Sequence, residues 1–230
     1  MDFSVIQENF SYFLLGAYPD GPLGGAALTV VLSLLSGLAS AVLGLGLGIA
    51  LTVVRGRTRW ALLTGLGFFR AVPVLMLIFW TYFLLPILFQ VDVPALATVV
   101  CALSLIGGAY LAHSVHAGIR SLPSGQWAAA RALGLRPGQV LRLIILPQAL
   151  PIMLPSFLNQ WVALVKDTSL AYVIGVGELS FVATQISNRV MVHPTEIFLF
   201  VALLYFVFCA SLDLAANLLA RRAPAVRRRG

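Results

Sequence analysis

Four stretches of this chain stay apolar for long enough to cross a lipid bilayer, and that fixes most of what it can fold into. They are residues 24–54, 72–89, 94–112 and 197–220, with Asp213 the one charged residue among them. A hydrocarbon core about 30 Å thick needs about 20 apolar residues in a helix. A fifth stretch, 150–176, carries a polar run at 166–169. In lipid every backbone N–H and C=O must be paired inside its own segment, so an open chain has one solution, the helix. The first stretch exceeds what the core requires and is expected to tilt or project into water. Within it, Gly44 and Gly48 are four residues apart and would let a second helix approach closely.

Composition closes the alternative of a water-soluble fold. Sixty per cent of the 230 residues are apolar and 10% are charged, whereas a soluble domain carries about 25% charged residues. The expected fold is all-α and integral to the membrane, with five transmembrane helices. The opening residues MDFSVIQENFSYFLLG have no basic region and no small-residue cleavage site, and they carry Asp2 and Glu8. A cleaved signal peptide is therefore not expected. Cys101 and Cys209 each lie in an apolar run and read as small helix- or lipid-facing residues.

Charge sets the orientation. Arg55, Arg57, Arg59 and Arg70 lie between the first two spans, and Arg120, Arg131, Arg136 and Arg142 between the third and fourth. Arg221, Arg222, Arg227, Arg228 and Arg229 follow the fifth, making 13 of the 15 basic residues. Asp2, Glu8, Asp20, Asp92, Glu178 and Glu196 fall on the other side, with Arg189 as its one base. The positive-inside rule then places the basic segments in the cytoplasm, the N-terminus outside and the C-terminus inside. The basic pI of about 10.1 is a topology signal, and no nucleic-acid motif accompanies it. Three parts are expected: an extracytoplasmic segment 1–23, a transmembrane domain 24–220 with a cytoplasmic loop 119–148, and a basic cytoplasmic tail 221–230.

That loop interrupts the apolar chain with GQWAAARALGLRPGQVLRLIILPQA, residues 125–149. Its pattern predicts two short helices. The first runs from Ser124, a good N-cap, to Gly134, a helix-ending residue. The second runs from Pro137, suited to a first turn, to Pro147. Trp127, Ala130, Arg131 and Gly134 fall on one side of the first helix, and alanines surround the rest. Small residues let a helix lie in a partner's groove, and arginines pair with carboxylates. An amphipathic helix resting on anionic lipid has the same pattern.

The spacing separates the two. Ala128, Ala129 and Ala130, then Gly134, nine residues, and Ile144-x-Leu146-Pro147 resemble the EAA loop of ABC importer membrane subunits. The blocks FFRAVPVLMLIFWTYFLLP (68–86), AYLAHSVHAGIRSLPSGQ (109–126) and KDTSLAYVIGVGELS (166–180) resemble the polar-amino-acid permeases of that family, most closely the glutamate/aspartate type. The resemblance covers about residues 24–220. It implies the type I importer permease fold and a bacterial inner-membrane location. It implies as partners an ABC ATPase dimer, a second permease subunit, homologous or identical, and a periplasmic or extracellular amino-acid-binding protein. Gly125, Gln126, Ala128, Ala129, Ala130, Arg131, Gly134 and Pro147 would couple to the ATPase, with ATP and Mg held on that partner and no cofactor bound by this chain. Two departures stand out: Ala128 replaces the glutamate that names the loop, and His113 and His116 replace the Glu and Arg of AYxxExxRxGI. For that pair a structural role at the membrane boundary is expected, since two histidines without a third ligand do not make a zinc site.

No catalytic constellation is present, and the one lysine, Lys166, is not part of a phosphate-binding G-x-x-x-x-G-K-[ST] loop. The chain is read as a permease subunit, not an enzyme. Polar groups at membrane depth line pathways or pair with one another, which singles out Asn159, Gln160, Lys166, Asp167, Thr168 and Ser169. Lys166 and Asp167 could instead neutralise each other or fix a helix break. The resemblance places Gln160 where basic-amino-acid permeases carry Glu, so an acidic or neutral polar amino acid such as glutamine fits better than a cation. Arg70 reads as an orientation signal before a substrate contact. An ion-coupled carrier or channel subunit is the alternative class, with Asp167 and Asp213 as its candidate intramembrane acids.

Overall fold

The computed structural model describes residues 4–90 and 93–222. Asp2, Asp92 and the tail arginines Arg227, Arg228 and Arg229 lie outside the described residues, as do the side chains of Arg221 and Arg222. We name ten helices among the described residues: α1 Ser4–Glu8, α2 Phe10–Leu15, α3 Gly25–Val53, α4 Gly56–Ala71, α5 Val74–Phe89, α6 Ala95–Arg120, α7 Ser124–Ala132, α8 Pro137–Ile174, α9 Leu179–Val190 and α10 Pro194–Arg222. Helices α3, α6, α8 and α10 are each long and apolar enough to cross a membrane. The pair α4 and α5 counts as a fifth span, bent by 102° at Val72 and Pro73. Pro73 causes the bend, because it cannot donate to the helix ladder and pushes Val72 into extended backbone.

Helices α3 and α6 form the spine. A methyl on Gly48 would meet the Val115 Cβ at 2.5 Å and the Ala112 carbonyl oxygen at 2.7 Å, and one on Gly44 would strike the Leu111 Cβ. The two backbones touch because neither glycine has a side chain to keep them apart, as the four-residue spacing foretold. Ser40 on the same face contacts the Ser104 carbonyl. Around this spine, Leu51 and Leu66 pack α4 onto Ala109 and Ala112, while Leu77 and Ile78 pack α5 onto Ala102 and Ile106.

Two boundaries differ from expectation. The third span does not stop at residue 112; α6 continues to Arg120. Helix α8 does not stop at Pro147 but runs on through Pro151 and Pro155. A π-helical turn at Leu141–Ile145 absorbs the first proline: Leu146 N–H bonds the Leu141 carbonyl, five residues back, and the ladder is re-registered before Pro147. At its far end α8 tightens into a 3₁₀ segment, Thr168–Ile174, ended by Gly175 at φ +79°. Helices α1, α2 and α9 pack on α10 around Phe13, Leu179, Ile186 and Ile197.

Candidate functional site

Beyond the Arg120 end of α6, α7 is a packed feature. Ala130 is 4% exposed, and with Trp127 it seats α7 on Ile119, Val140, Leu141 and Ile145. Burying such aliphatic side chains stabilises by about 1.5–3 kcal/mol each, so α7 is fixed to the ends of α6 and α8. The outward face carries Gly125, Gln126, Ala128, Ala129 and Arg131, with Leu133 82% exposed at the tip. Ala130, expected on the coupling face, points inward; the grouping of Trp127, Ala130 and Arg131 on one side is corrected, because the apolar pair is claimed by the core. Ser124 is the first helical residue, not the cap; Pro123 precedes it in extended backbone. Gly134 ends the turn at φ +79°, a conformation that favours glycine, and its N–H bonds the Arg131 carbonyl at 2.9 Å. Pro147 and Gln148 are exposed beside it, and Gln148 Nε2 donates to Ile144 O at 2.8 Å. Among the described residues Arg131, Arg136 and Arg142 have no carboxylate partner: the one ion pair is His193–Glu196, at the other end of the molecule.

Along α8, a row of polar side chains is left exposed or half-buried. Asn159 and Lys166 are exposed, and Gln160 and Asp167 half-buried. Residues seven apart in a helix differ by about 20° and stand about 10 Å apart, so the two pairs form parallel stripes. Lys166 and Asp167 form no ion pair with each other, since neighbouring residues on a helix diverge. Thr168 departs from the expected pathway set. It is fully buried, and its hydroxyl donates to the Val165 carbonyl at 2.7 Å. The Ser169 hydroxyl donates to the Lys166 carbonyl at 2.7 Å. These hydroxyls satisfy carbonyls where the α-helix tightens, which is the helix break the KDTSL block suggested.

Arg70 is not in a cytoplasmic loop. Its guanidinium carbon lies over the Tyr110 ring, 5.1 Å from the centroid, and Tyr110 is ten residues, about 15 Å, up α6 from Arg120. Arg70 stands in the last turn of α4, just before the 102° bend, so a helix holds it where a loop was expected. His116 meets Thr52 Oγ1 through Nδ1 at 2.9 Å and ties α6 to α3, the expected structural role. His113 differs: its Nε2 is buried with no partner.

Glu178 is the residue that sequence reading treated as a mere charge. It is 0% exposed and caps α9, accepting from Ser180 N at 3.0 Å and Phe181 N at 2.9 Å, while the Tyr205 hydroxyl donates to it at 2.8 Å. Beside it Leu179 N–H donates to Thr29 Oγ1 at 3.2 Å, and Gly25 N–H to Gly177 O at 2.9 Å. One buried carboxyl thus helps to clamp α3, α9 and α10 together. Burial pushes its pKa up to about 7, against the hydrogen bonds that favour the anion. The available signal was an acidic residue just before a helix.

Comparison with known proteins agrees with this geometry. The profile of the family described as "Binding-protein-dependent transport system inner membrane component" matches residues 40–223. The glutamate/aspartate import permease protein GltK of Escherichia coli O157:H7 is 33% identical over 96% of this chain and 97% of its own length. The probable glutamine ABC transporter permease protein GlnM of Bacillus subtilis is 32% identical over 96% and 98%, and that organism's L-cystine transport system permease protein TcyB is 33% identical over 86% and 85%. A crystal structure of an amino acid ABC transporter with histidines superposes with a TM-score of 0.83 at 25% identity, covering 96% of this chain and 99% of that one. The inward-facing methionine transporter MetNI, 22% identical, shares the fold at a TM-score of 0.74, with 84% and 92% covered. The chain therefore belongs to the family of binding-protein-dependent transport system inner membrane components, as a permease of the amino-acid ABC importer type.

Proposed function

We propose that this chain is the inner-membrane subunit through which an ATP-driven importer passes a polar amino acid, glutamate or aspartate before glutamine. The observation that carries the reading is α7: a small-residue helix with Arg131 lacking a carboxylate partner among the described residues, locked by Ala130 and Trp127 to the ends of two membrane helices. A separate ATPase dimer, which holds the ATP and Mg, grips that helix. Closure of the dimer pulls the helix and the attached α6 and α8 as a rigid unit between inward- and outward-open forms. A second permease copy or a homologue faces the polar side of α8, and an extracytoplasmic binding protein delivers the solute to the α9 side. The N-terminus lies outside and the tail 221–230 inside, as the arginine distribution supports.

Asn159, Gln160, Lys166 and Asp167 line the pathway in this reading. The preference for an acidic over a cationic solute rests on Gln160, an amide that does not repel an anion, and on the cation of Lys166. An ion-coupled carrier would need no such docking helix. Reconstitution decides between the two classes: solute accumulation should require the ATPase, the binding protein and ATP. Accumulation by this polypeptide alone would overturn the reading.

A further inference from the structure

We propose that Arg70, stacked on Tyr110 with His113 one turn away, binds the α-carboxylate shared by amino-acid substrates; this rests on the permease reading above. The first argument is depth. Gly118 packs on Met153 and Gly107 on Leu164, so positions along α6 and α8 run in opposite senses, and Tyr110 falls level with Gln160 and Trp161. Arg70 therefore stands within a turn of the level of Gln160 on α8, between the ends of two helices long and apolar enough to cross a membrane.

The second is charge. An arginine at this depth is costly unless it faces a counter-ion or a watered path. Among the described residues no carboxylate lies within ion-pair distance of Arg70. The carbonyls ending α4 offset part of its charge, yet the side chain stays exposed. The Arg70 guanidinium carbon lies over the Tyr110 ring, and among the described residues no protein acceptor takes its N–H groups. Tyr110 and His113, three apart on α6, share a face, and Arg70 is the charged group that acts on His113. His113 Nε2 is buried without a partner and, as its N–H tautomer, adds a donor.

A fork of N–H donors beside an imidazole N–H matches a carboxylate, and the planar guanidinium holds it in two parallel bonds. This divides the work. Arg70 and His113 take the group every amino acid carries, and Gln160 with Asn159 reads the side chain.

The test is competition against radiolabelled L-glutamate on the purified permease–ATPase complex without binding protein, with L-glutamate, L-glutamine and the α-amide of each as competitors. Wild type is expected to favour each acid over its α-amide by about tenfold or more, the value of one charge-assisted contact. Arg70→Gln should bring that ratio within about twofold, whereas Gln160→Glu should shift side-chain selectivity and keep the ratio. A ratio in Arg70→Gln equal to wild type would overturn the proposal and leave the permease reading intact. If wild type binds no amino acid at all, the permease reading falls and this proposal with it. Should Arg70→Gln fail to assemble, Arg70→Lys carries the test: a ratio lowered threefold or more supports the fork, and an unchanged ratio overturns it.

Discussion

The α3–α6 seam and the open face of α8 lie in the same bilayer and follow opposite rules. At the seam Gly44 and Gly48 remove every side-chain atom that would separate two backbones, and the contact has no room for a methyl. On α8, Asn159 and Lys166 are exposed among the described residues. In lipid, tight association comes from small residues and close packing, while exposed polar groups mark a path or an interface still to be filled. The difference assigns stiffness to the seam and translocation to the polar face.

The comparison breaks first at Gly48. Gly48→Leu should cost about 3 kcal/mol or more, because the side chain meets backbone as well as Val115. The expected outcome is loss of monodisperse protein in detergent and a collapse of the thermal midpoint. A variant as stable as wild type would remove the seam from the account. The clamp at the outer end of α3 is the next test, since it too is closed but polar. Glu178 is protonated in the folded chain up to about pH 7 but ionises near 4.5 when unfolded. Its raised pKa thus contributes stability that is full below pH 4.5 and lost as pH rises through about 7. That contribution is up to about 3 kcal/mol. Thermal midpoints measured from pH 5 to pH 8 should fall in wild type more than in Glu178→Gln, and equal slopes would remove Glu178 as the cause.

The polar face is sharpened by a smaller change. Gln160→Glu should lower uptake of acidic amino acids relative to cationic ones by about tenfold, or about 1.4 kcal/mol, with the fold intact. Unaltered uptake and selectivity would take Gln160 out of the pathway. Smallest of all, Asn159→Leu should move the thermal midpoint by no more than the equivalent of about 0.5 kcal/mol, the range for an uncovered position. A large loss of stability there would mean that α8 is packed where it is drawn as open.

The spans and the glycine seam were legible because apolar length and small-residue spacing act locally along one chain. The continuity of α8 was not. Pro147 read as a stop, and only the π-helical turn before it shows how the ladder is shifted to admit it. The setting of Arg70 was lost for a related reason, since a charge count along the chain does not record that a helix carries it to a 102° bend and onto Tyr110. Ala130 looked like one of three equivalent alanines until Val140 and Ile145, ten and fifteen residues on, were seen to claim it. Glu178 was hidden by its type: an acidic residue between spans reads as a solvated loop, and nothing local announces Tyr205 on another helix.

The most direct test of the account compares two adjacent alanines. In the assembled, transport-active complex, Ala129→Cys should crosslink to the ATPase subunit, and Ala130→Cys should not, because that position faces its own chain. Crosslinking at residue 130 as readily as at 129, or at neither in a complex that still couples ATP to uptake, would contradict the docking helix and the mechanism built on it.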